Sequence, residues 1–216
     1  MARQPRPGVW PKKKQRDRLI RLAAGRDEWA LGFADETWWS RFAAPACRAW
    51  AEPGRPLRLV EQPVGGGDPD PKALAAYGLY LPAANEMLLR FVDGRPVGAL
   101  TIQFLAWCAE RLAARGVTAL LLVWDNAAWH VSREVRAWLR DHNRGVRRAG
   151  VGVRIVACRL PIKSPWLNPI EPKWVHGKRR ACAPDRTLTA RETAERACAA
   201  LDCAYEPHLA LPSHVP

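Results

Sequence analysis

The feature that most constrains the fold is a strongly apolar run from Val117 to Trp124, which ends at Asp125. Such a run predicts a β-strand covered on both faces, because a strand with one face in water alternates apolar and polar residues. The run is too short for a transmembrane helix, which needs about 20 apolar residues. We therefore expect a central strand in a sheet that has helices on both sides.

The segments before this strand predict an antiparallel meander of three or four strands. The runs with strand character cover residues 29–35 (WALGFAD), 57–64 (LRLVEQPV), 73–81 (ALAAYGLYL) and 86–92 (EMLLRFV). The glycine-rich stretch 65–71 is interpreted as a hairpin connection, since it lacks the Gly-Lys-Ser/Thr ending of a phosphate-binding loop.

The pattern then changes to alternating helices and strands. Besides the apolar strand, the expected elements are a helix over 102–115, a helix over 133–143 capped by Ser132, a strand over 153–161, a helix opened by Asn168–Glu171 as a capping box, and a last helix from Thr189 to about Cys203. This order resembles a ribonuclease H-like fold, an α/β fold with a mixed five-stranded sheet and helices on both faces.

The length of 216 residues suits one such domain with a short appendage. We expect a flexible basic leader or linker over residues 1–30, the ribonuclease H-like domain over 31–186, and a C-terminal helix and tail over 187–216. The six cysteines form no Cys-x-x-Cys pair, which predicts reduced thiols rather than a zinc site or a disulfide framework.

Charge points to a polyanionic partner. Lys and Arg number 34 against 21 Asp and Glu, giving a net charge of +13 and a pI near 10.2, so nucleic acid is the first partner to consider. The basic start of the chain leads into no apolar segment, so we expect neither a secretory signal nor a membrane span, and a cytoplasmic, nucleoid-associated protein.

Basic residues concentrate between residues 131 and 163, where nine of them occur against only two acidic residues, and we expect this segment to flank the acidic candidates described next. This excess predicts phosphate contacts, whereas the alternative, a solvated helix face, normally mixes signs. The candidates for DNA contact are Arg133, Arg136, Arg140, Arg147, Arg148, Lys163 and, further along, Lys178.

Three carboxylates fall where a ribonuclease H-like sheet would gather them: Asp35 at the end of the first strand, Asp125 after the apolar run, and Glu171 in the first turn of a helix. Like charges about 4 Å apart repel by roughly 4 kcal/mol at an effective dielectric of 20, so such a cluster needs cations. Oxygen ligands favour Mg²⁺ or Mn²⁺, and two such ions suit phosphodiester chemistry. In isolation, Asp35 also fits a turn or cap, and Glu171 fits the partner of an Asn168 cap.

Two motifs carry a family resemblance. They are Asp125-Asn126-x-x-x-His130 and Leu160-Pro161-x-x-Ser164-Pro165-x-Leu167-Asn168-Pro169-Ile170-Glu171-x-x-Trp174-x-x-x-Lys178. In these motifs the chain resembles the catalytic domain of the mariner superfamily of DDE transposases, in particular its bacterial insertion-sequence branch. The resemblance runs from about residue 33 to residue 178.

The resemblance implies that Asp35, Asp125 and Glu171 form the catalytic, metal-binding triad, with two Mg²⁺ or Mn²⁺ ions, and that the adjacent Glu36 is not a ligand. It also implies supporting roles, without direct metal binding, for four further residues: Asn126, His130, Asn168 and Trp174. The implied activity is metal-dependent cleavage of element ends in double-stranded DNA, followed by attack of the freed 3′-hydroxyl on target DNA.

Such transposases carry a helix-turn-helix region before the catalytic domain, and here only the basic leader precedes it. We therefore expect a separate helix-turn-helix polypeptide, from a split or frameshifted gene, to supply sequence recognition, with a homodimer as a further possible assembly. Two alternatives stay open: an inactive or truncated DNA-binding remnant of a transposase, and a structure-directed nuclease of the same fold.

Overall fold

A computed structural model describes residues 9–41, 67–162, 164–181 and 187–211. The elements are α1 (Val9–Ala24), β1 (Trp29–Ser40), β2 (Ala73–Leu81), β3 (Glu86–Val92), α2 (Gly98–Ala113), β4 (Ala119–Trp124), α3 (Arg133–Ala149), β5 (Arg154–Arg159), a 3₁₀ turn (Pro165–Leu167), α4 (Ile170–Ala181) and α5 (Ala190–Ala200). The strand predicted over 57–64 lies outside the described residues. No helix in the described ranges is long and apolar enough to cross a membrane.

The five strands form one mixed sheet in the order β3-β2-β1-β4-β5. The meander β1-β2-β3 is antiparallel, whereas β4 and β5 run parallel to β1. Every residue of β4 is buried, as its continuous apolar sequence predicts for an interior strand. One face of the sheet packs against α2 and α3 and the other against α1, α4 and α5. The predicted mixed five-stranded sheet with helices on both faces is confirmed.

The expectation that Asp35 ends the first strand is wrong, because β1 continues to Ser40 and stays paired with β2 as far as Ala73. Pairing with β4 ends earlier: Phe33 lies opposite Val123, so Asp35 and Asp125 each follow two residues after the last paired position. Asp35 therefore lies where β1 loses one neighbour, and this brings it to the same sheet edge as Asp125.

The expectation of a flexible leader is wrong for residues 9–24, which form the docked helix α1. Leu19 is buried in the core on the α4 side of the sheet. Lys12 Nζ lies 3.5 Å from the carbonyl oxygen of Leu160, and Arg16 Nη1 donates to that of Leu167 at 3.1 Å. Both acceptors are remote in sequence, so the basic composition alone gave no sign of this docking.

The helix starts agree in part with the predicted caps. The Ser132 side chain accepts a hydrogen bond from the Val135 amide and caps α3, and Thr189 with Glu192 forms a complete capping box at α5. The capping box predicted for Asn168 and Glu171 is wrong: α4 begins at Ile170, so Glu171 is its second residue rather than its third. The last helix ends at Ala200, three residues short of the predicted Cys203.

Candidate active site

The three predicted carboxylates come together at one cavity. Asp35 from β1, Asp125 after β4 and Glu171 from α4 line a space of about 250 Å³. The loop between β5 and α4 closes this space with Ser164 and Asn168, among others. Three separate segments thus place their acids around one cavity at the edge of the sheet, as the fold class predicts.

Asp35 lies in an unfavourable electrostatic environment. Burial, followed by the charges of Glu36 and Glu171, raises the pKa of Asp35 from 3.8 to about 7. Its Oδ2 accepts a hydrogen bond from Trp174 Nε1 at 3.2 Å. The indole of Trp174 is buried against Gly78, and a Cβ atom at residue 78 would lie only 2.3 Å from Cη2 of that ring. Gly78 therefore makes room for the side chain that holds Asp35.

Asp125 is held by a buried histidine. Its Oδ1 accepts hydrogen bonds from the Ala127 amide and from His130 Nδ1, each at 2.8 Å. Burial opposes ionisation, but these two bonds outweigh it, so the pKa of Asp125 is lowered. Burial likewise opposes charge on His130, yet its bonds to Asp125 and Glu36 raise the pKa of His130 to about 9. A protonated imidazole therefore donates from both nitrogens.

Glu36 supports the site in a way that the sequence did not indicate. It neighbours Asp35 in β1, and successive side chains of a strand point to opposite faces. Its Oε1 accepts from His130 Nε2 at 2.7 Å and its Oε2 from Trp129 Nε1 at 3.0 Å. Only 8% of the Glu36 side chain is exposed. Glu36 is thus a support for His130 rather than part of the cavity wall, and sequence spacing gave no signal for this remote contact.

Glu171 is half-buried, and desolvation raises its pKa although the nearby Lys178 opposes the shift. Desolvation also lowers the pKa of Lys178, while the charges of Glu171 and Asp35 favour its protonated form. Lys178 follows Glu171 by seven residues, so both lie on one face of α4. The half-buried ammonium group of Lys178 therefore offsets part of the negative charge of two of the three acids.

The two asparagines of the motifs connect loops around the cavity. Asn126 Nδ2 donates to the carbonyl oxygen of Leu160 at 2.7 Å, which ties the segment after β4 to the segment after β5. Asn168 Nδ2 donates to the carbonyl oxygen of Ala34 at 3.2 Å, next to Asp35. These contacts agree with the supporting roles predicted for both residues, and those roles stay predictions.

The oxygen atoms around the cavity suit a hard divalent cation. Within the described ranges, no three His, Cys, Asp or Glu side chains are already gathered as a metal site. The cavity nevertheless offers carboxylate and carboxamide oxygens and no nitrogen or sulfur ligand, which is the chemistry that Mg²⁺ and Mn²⁺ prefer. Desolvation is the largest cause of the raised pKa values of Asp35 and Glu171, and neighbouring carboxylates add to it, so a bound cation would favour the ionised forms.

The predicted DNA-contacting arginines form an exposed stripe along α3, but they do not all flank the acids. The exposed members are Arg133, Arg136, Arg140, Arg147 and Arg148. Arg133 lies at the end of α3 near the acids, whereas Arg147 is about 21 Å further along, at 1.5 Å per residue. Arg147 lines a different cavity, which includes Thr118 and Ala119 before and at the start of β4. The expectation that Arg147 and Arg148 flank the acids is therefore wrong, and Lys163 lies outside the described residues.

A mixed sheet in this strand order with an acid-lined cavity at its edge is the arrangement of a ribonuclease H-like domain. The sequence pattern of the DDE superfamily endonucleases matches residues 30–193. The chain belongs to this family. A sequence search of curated proteins finds no match.

Solved structures of a mariner transposase share the fold. The Mos1 transposase paired-end complex with left transposon end is 16% identical, covers 90% of this chain and 54% of its own, and has a TM-score of 0.61. The Mos1 mariner paired-end complex with Mn is 16% identical over 95% of this chain and 65% of its own, with a TM-score of 0.58. The catalytic domain of Mos1 mariner transposase is 14% identical, covers 91% of this chain and 81% of its own, and has a TM-score of 0.53.

These likenesses confirm the predicted ribonuclease H-like fold, and the match to the DDE superfamily endonucleases confirms the predicted DDE resemblance. This chain spans about half the length of the first of these transposase chains. The assignment to a bacterial insertion-sequence branch stays a prediction.

Proposed function

We propose that this chain is the catalytic part of a mariner-type DDE transposase, which cleaves DNA at element ends and joins the freed 3′-hydroxyl to target DNA. The observation that carries the proposal is the convergence of Asp35, Asp125 and Glu171 on one cavity from three separate segments. Membership of the DDE superfamily endonucleases supports the same reaction class.

The same three carboxylates are the proposed ligands of two Mg²⁺ or Mn²⁺ ions. The Mos1 mariner paired-end complex with Mn, which shares this fold, supports the choice of metal. Ions bound there would supply Lewis-acid activation of the attacking hydroxyl and charge neutralisation at the leaving oxygen. A bound cation would in turn offset the burial and the neighbouring negative charges that raise the pKa values of Asp35 and Glu171.

The surrounding side chains fix the acids in place. His130, held by Glu36, orients the Asp125 carboxylate through Nδ1, and Trp174 orients Asp35 through Nε1. The Ser164 hydroxyl lines the cavity, is buried and makes no hydrogen bond within the described part of the chain. As a donor, it suits a non-bridging oxygen of the scissile phosphate.

Double-stranded DNA is the proposed substrate, both as element end and as target. The arginine stripe of α3, with Lys163 and Lys178, supplies non-specific phosphate contacts. Base-specific recognition is assigned to a separate helix-turn-helix polypeptide, and a homodimer would bring two element ends together. Acting on chromosomal DNA, the protein would work at the nucleoid.

The test is Mg²⁺-dependent nicking of transposon-end DNA by the chain, with and without the product of the neighbouring reading frame. We expect Asp35→Asn and Asp125→Asn to abolish nicking while the circular dichroism spectrum is unchanged. Glu36→Gln is the neighbouring control: glutamine keeps one oxygen to accept from His130 and loses the acceptor for Trp129, and because Glu36 lies outside the cavity wall this variant should retain most activity.

The outcomes separate the alternatives. DNA binding without metal-dependent nicking in the wild type would favour the inactive remnant. Nicking that depends on branched or flapped DNA rather than on element ends would favour a structure-directed nuclease. Full activity in Asp125→Asn would contradict the triad itself.

A further inference from the structure

Within the described part of the chain, the side-chain nitrogen of Asn168 has a hydrogen-bond partner and its side-chain oxygen has none. Its side chain lies in the segment that opens α4, and the residue is only 3% exposed. Nδ2 donates to the carbonyl oxygen of Ala34, which fixes the plane of the carboxamide beside Asp35. Oδ1 makes no hydrogen bond within the described part of the chain, although Asn168 lines the cavity of the three acids.

An unpaired buried acceptor needs an explanation, because leaving one without a partner destabilises the folded protein. The Asn168 carbonyl oxygen can only accept a hydrogen bond or bind a cation. When they bind a cation, the carboxylates that share its cavity, Asp35, Asp125 and Glu171, are acceptors as well. A phosphodiester oxygen carries no proton and cannot pair with Oδ1. A hydrated divalent cation suits it, because both the ion and its water protons seek oxygen acceptors.

We propose that Asn168 Oδ1 is a fourth oxygen ligand of the divalent metal site, binding the ion next to Asp35 directly or through one bound water. The inference rests on the proposed function and changes the role of Asn168 from a support to a member of the site. The hydrogen bond to Ala34 then has a second purpose: it fixes the carboxamide beside Asp35 while it anchors the start of α4 to β1.

The test distinguishes the contribution of the Asn168 oxygen from that of its nitrogen. Binding of Mn²⁺ to the full chain is measured by loss of the free-ion signal in electron paramagnetic resonance, alongside thermal unfolding in EDTA. Asn168→Ala removes both Oδ1 and Nδ2, whereas Asn168→Asp keeps oxygen ligands and loses the donor to Ala34. Ile162→Ala is the matched control, because it removes an apolar side chain of the same loop that also lines the cavity.

We expect Asn168→Ala to weaken Mn²⁺ binding by about tenfold, within the range seen when groups around metal sites are removed. Asn168→Asp should restore or exceed wild-type affinity, although its unfolding temperature in EDTA falls as in Asn168→Ala. Ile162→Ala should bind Mn²⁺ as the wild type does.

A purely structural role gives a different pattern, with Asn168→Asp as weak as Asn168→Ala, and that result overturns the inference. Wild-type Mn²⁺ affinity in Asn168→Ala also overturns it. If the wild type binds Mn²⁺ but Asp35→Asn binds it equally well, the proposed triad fails instead.

Discussion

Replacing Gly78 by alanine tests how closely the sheet is fitted to the site. Gly78 lies opposite Asp35 in the β1-β2 ladder, and its Cα faces the indole of Trp174. A methyl group there would lie 2.3 Å from Cη2 and 2.7 Å from Cζ2 of Trp174, and 3.2 Å from Cδ1 of Ile170. Carbon atoms in contact normally lie about 3.5–4.0 Å apart, so the ring must move by about 1 Å or more.

The structure sets the expected magnitude. Trp174 is 3% exposed and packs edge-on against Trp39 at 6.4 Å between ring centroids, so it has little room to move. Overpacking of a filled core costs about 1–3 kcal/mol, which is the expected loss in the free energy of unfolding. A shift of that size also breaks the 3.2 Å hydrogen bond to Asp35, so metal-dependent nicking should fall too.

The assay is urea unfolding in EDTA, run as a double-mutant cycle with Trp174→Phe. Phenylalanine lacks the part of the indole that the new methyl group meets, so Gly78→Ala should cost less than about 0.5 kcal/mol in that background. Gly145→Ala is the matched control, because nothing lies within 4 Å of its added Cβ. Alanine at this position of helix α3 should raise the free energy of unfolding by about 0.5–1 kcal/mol. An equal cost of Gly78→Ala in both backgrounds would refute the steric argument.

Three further predictions concern charge. The folded-state pKa of Asp35 is raised, so its contribution to stability is present below pH 3.8 and is lost as pH rises to about 7. Asp35→Asn in EDTA should remove this decline, which is worth at most about 4 kcal/mol in the free energy of unfolding, when unfolding curves at pH 4 and 8 are compared. Glu36→Ala should lower the free energy of unfolding by about 2 kcal/mol or more, because it leaves the buried His130 with an unpaired nitrogen. Urea unfolding measures this loss, and wild-type stability would contradict the support of His130 by Glu36. Replacing Arg136 and Arg140 together by alanine should weaken DNA binding equally for all sequences and reduce the slope of log affinity against log salt concentration by about 2. An unchanged slope would exclude phosphate contacts at these two residues.

The sequence predicted the sheet because the signals were local. The apolar run ending at Trp124 could only be an interior strand, and Ser132 and Thr189 marked helix starts through contacts within three residues. The three acids could likewise be placed, since strand ends in a known order of elements meet at one edge. The strands, helix starts and acid positions depend on the spacing of residues along the chain, which can be read directly from the sequence.

What the sequence did not predict depends on contacts between remote segments. Glu36 supports His130 across 94 residues, and Arg16 docks α1 on the carbonyl of Leu167 across 151 residues. The extension of β1 beyond Asp35 depends on its partner β2, not on its own composition. Asn168 fits the pattern of a helix cap, yet its amide group is used at Ala34 instead.

The proposed metal-binding triad is tested by the position of Mn²⁺ in crystals of the chain with element-end DNA, located by anomalous X-ray scattering. We predict anomalous peaks in contact with the carboxylates of Asp35, Asp125 and Glu171, and their loss in Asp125→Asn. Mn²⁺ bound elsewhere, in crystals of a protein that nicks DNA, would contradict the assignment of these three acids.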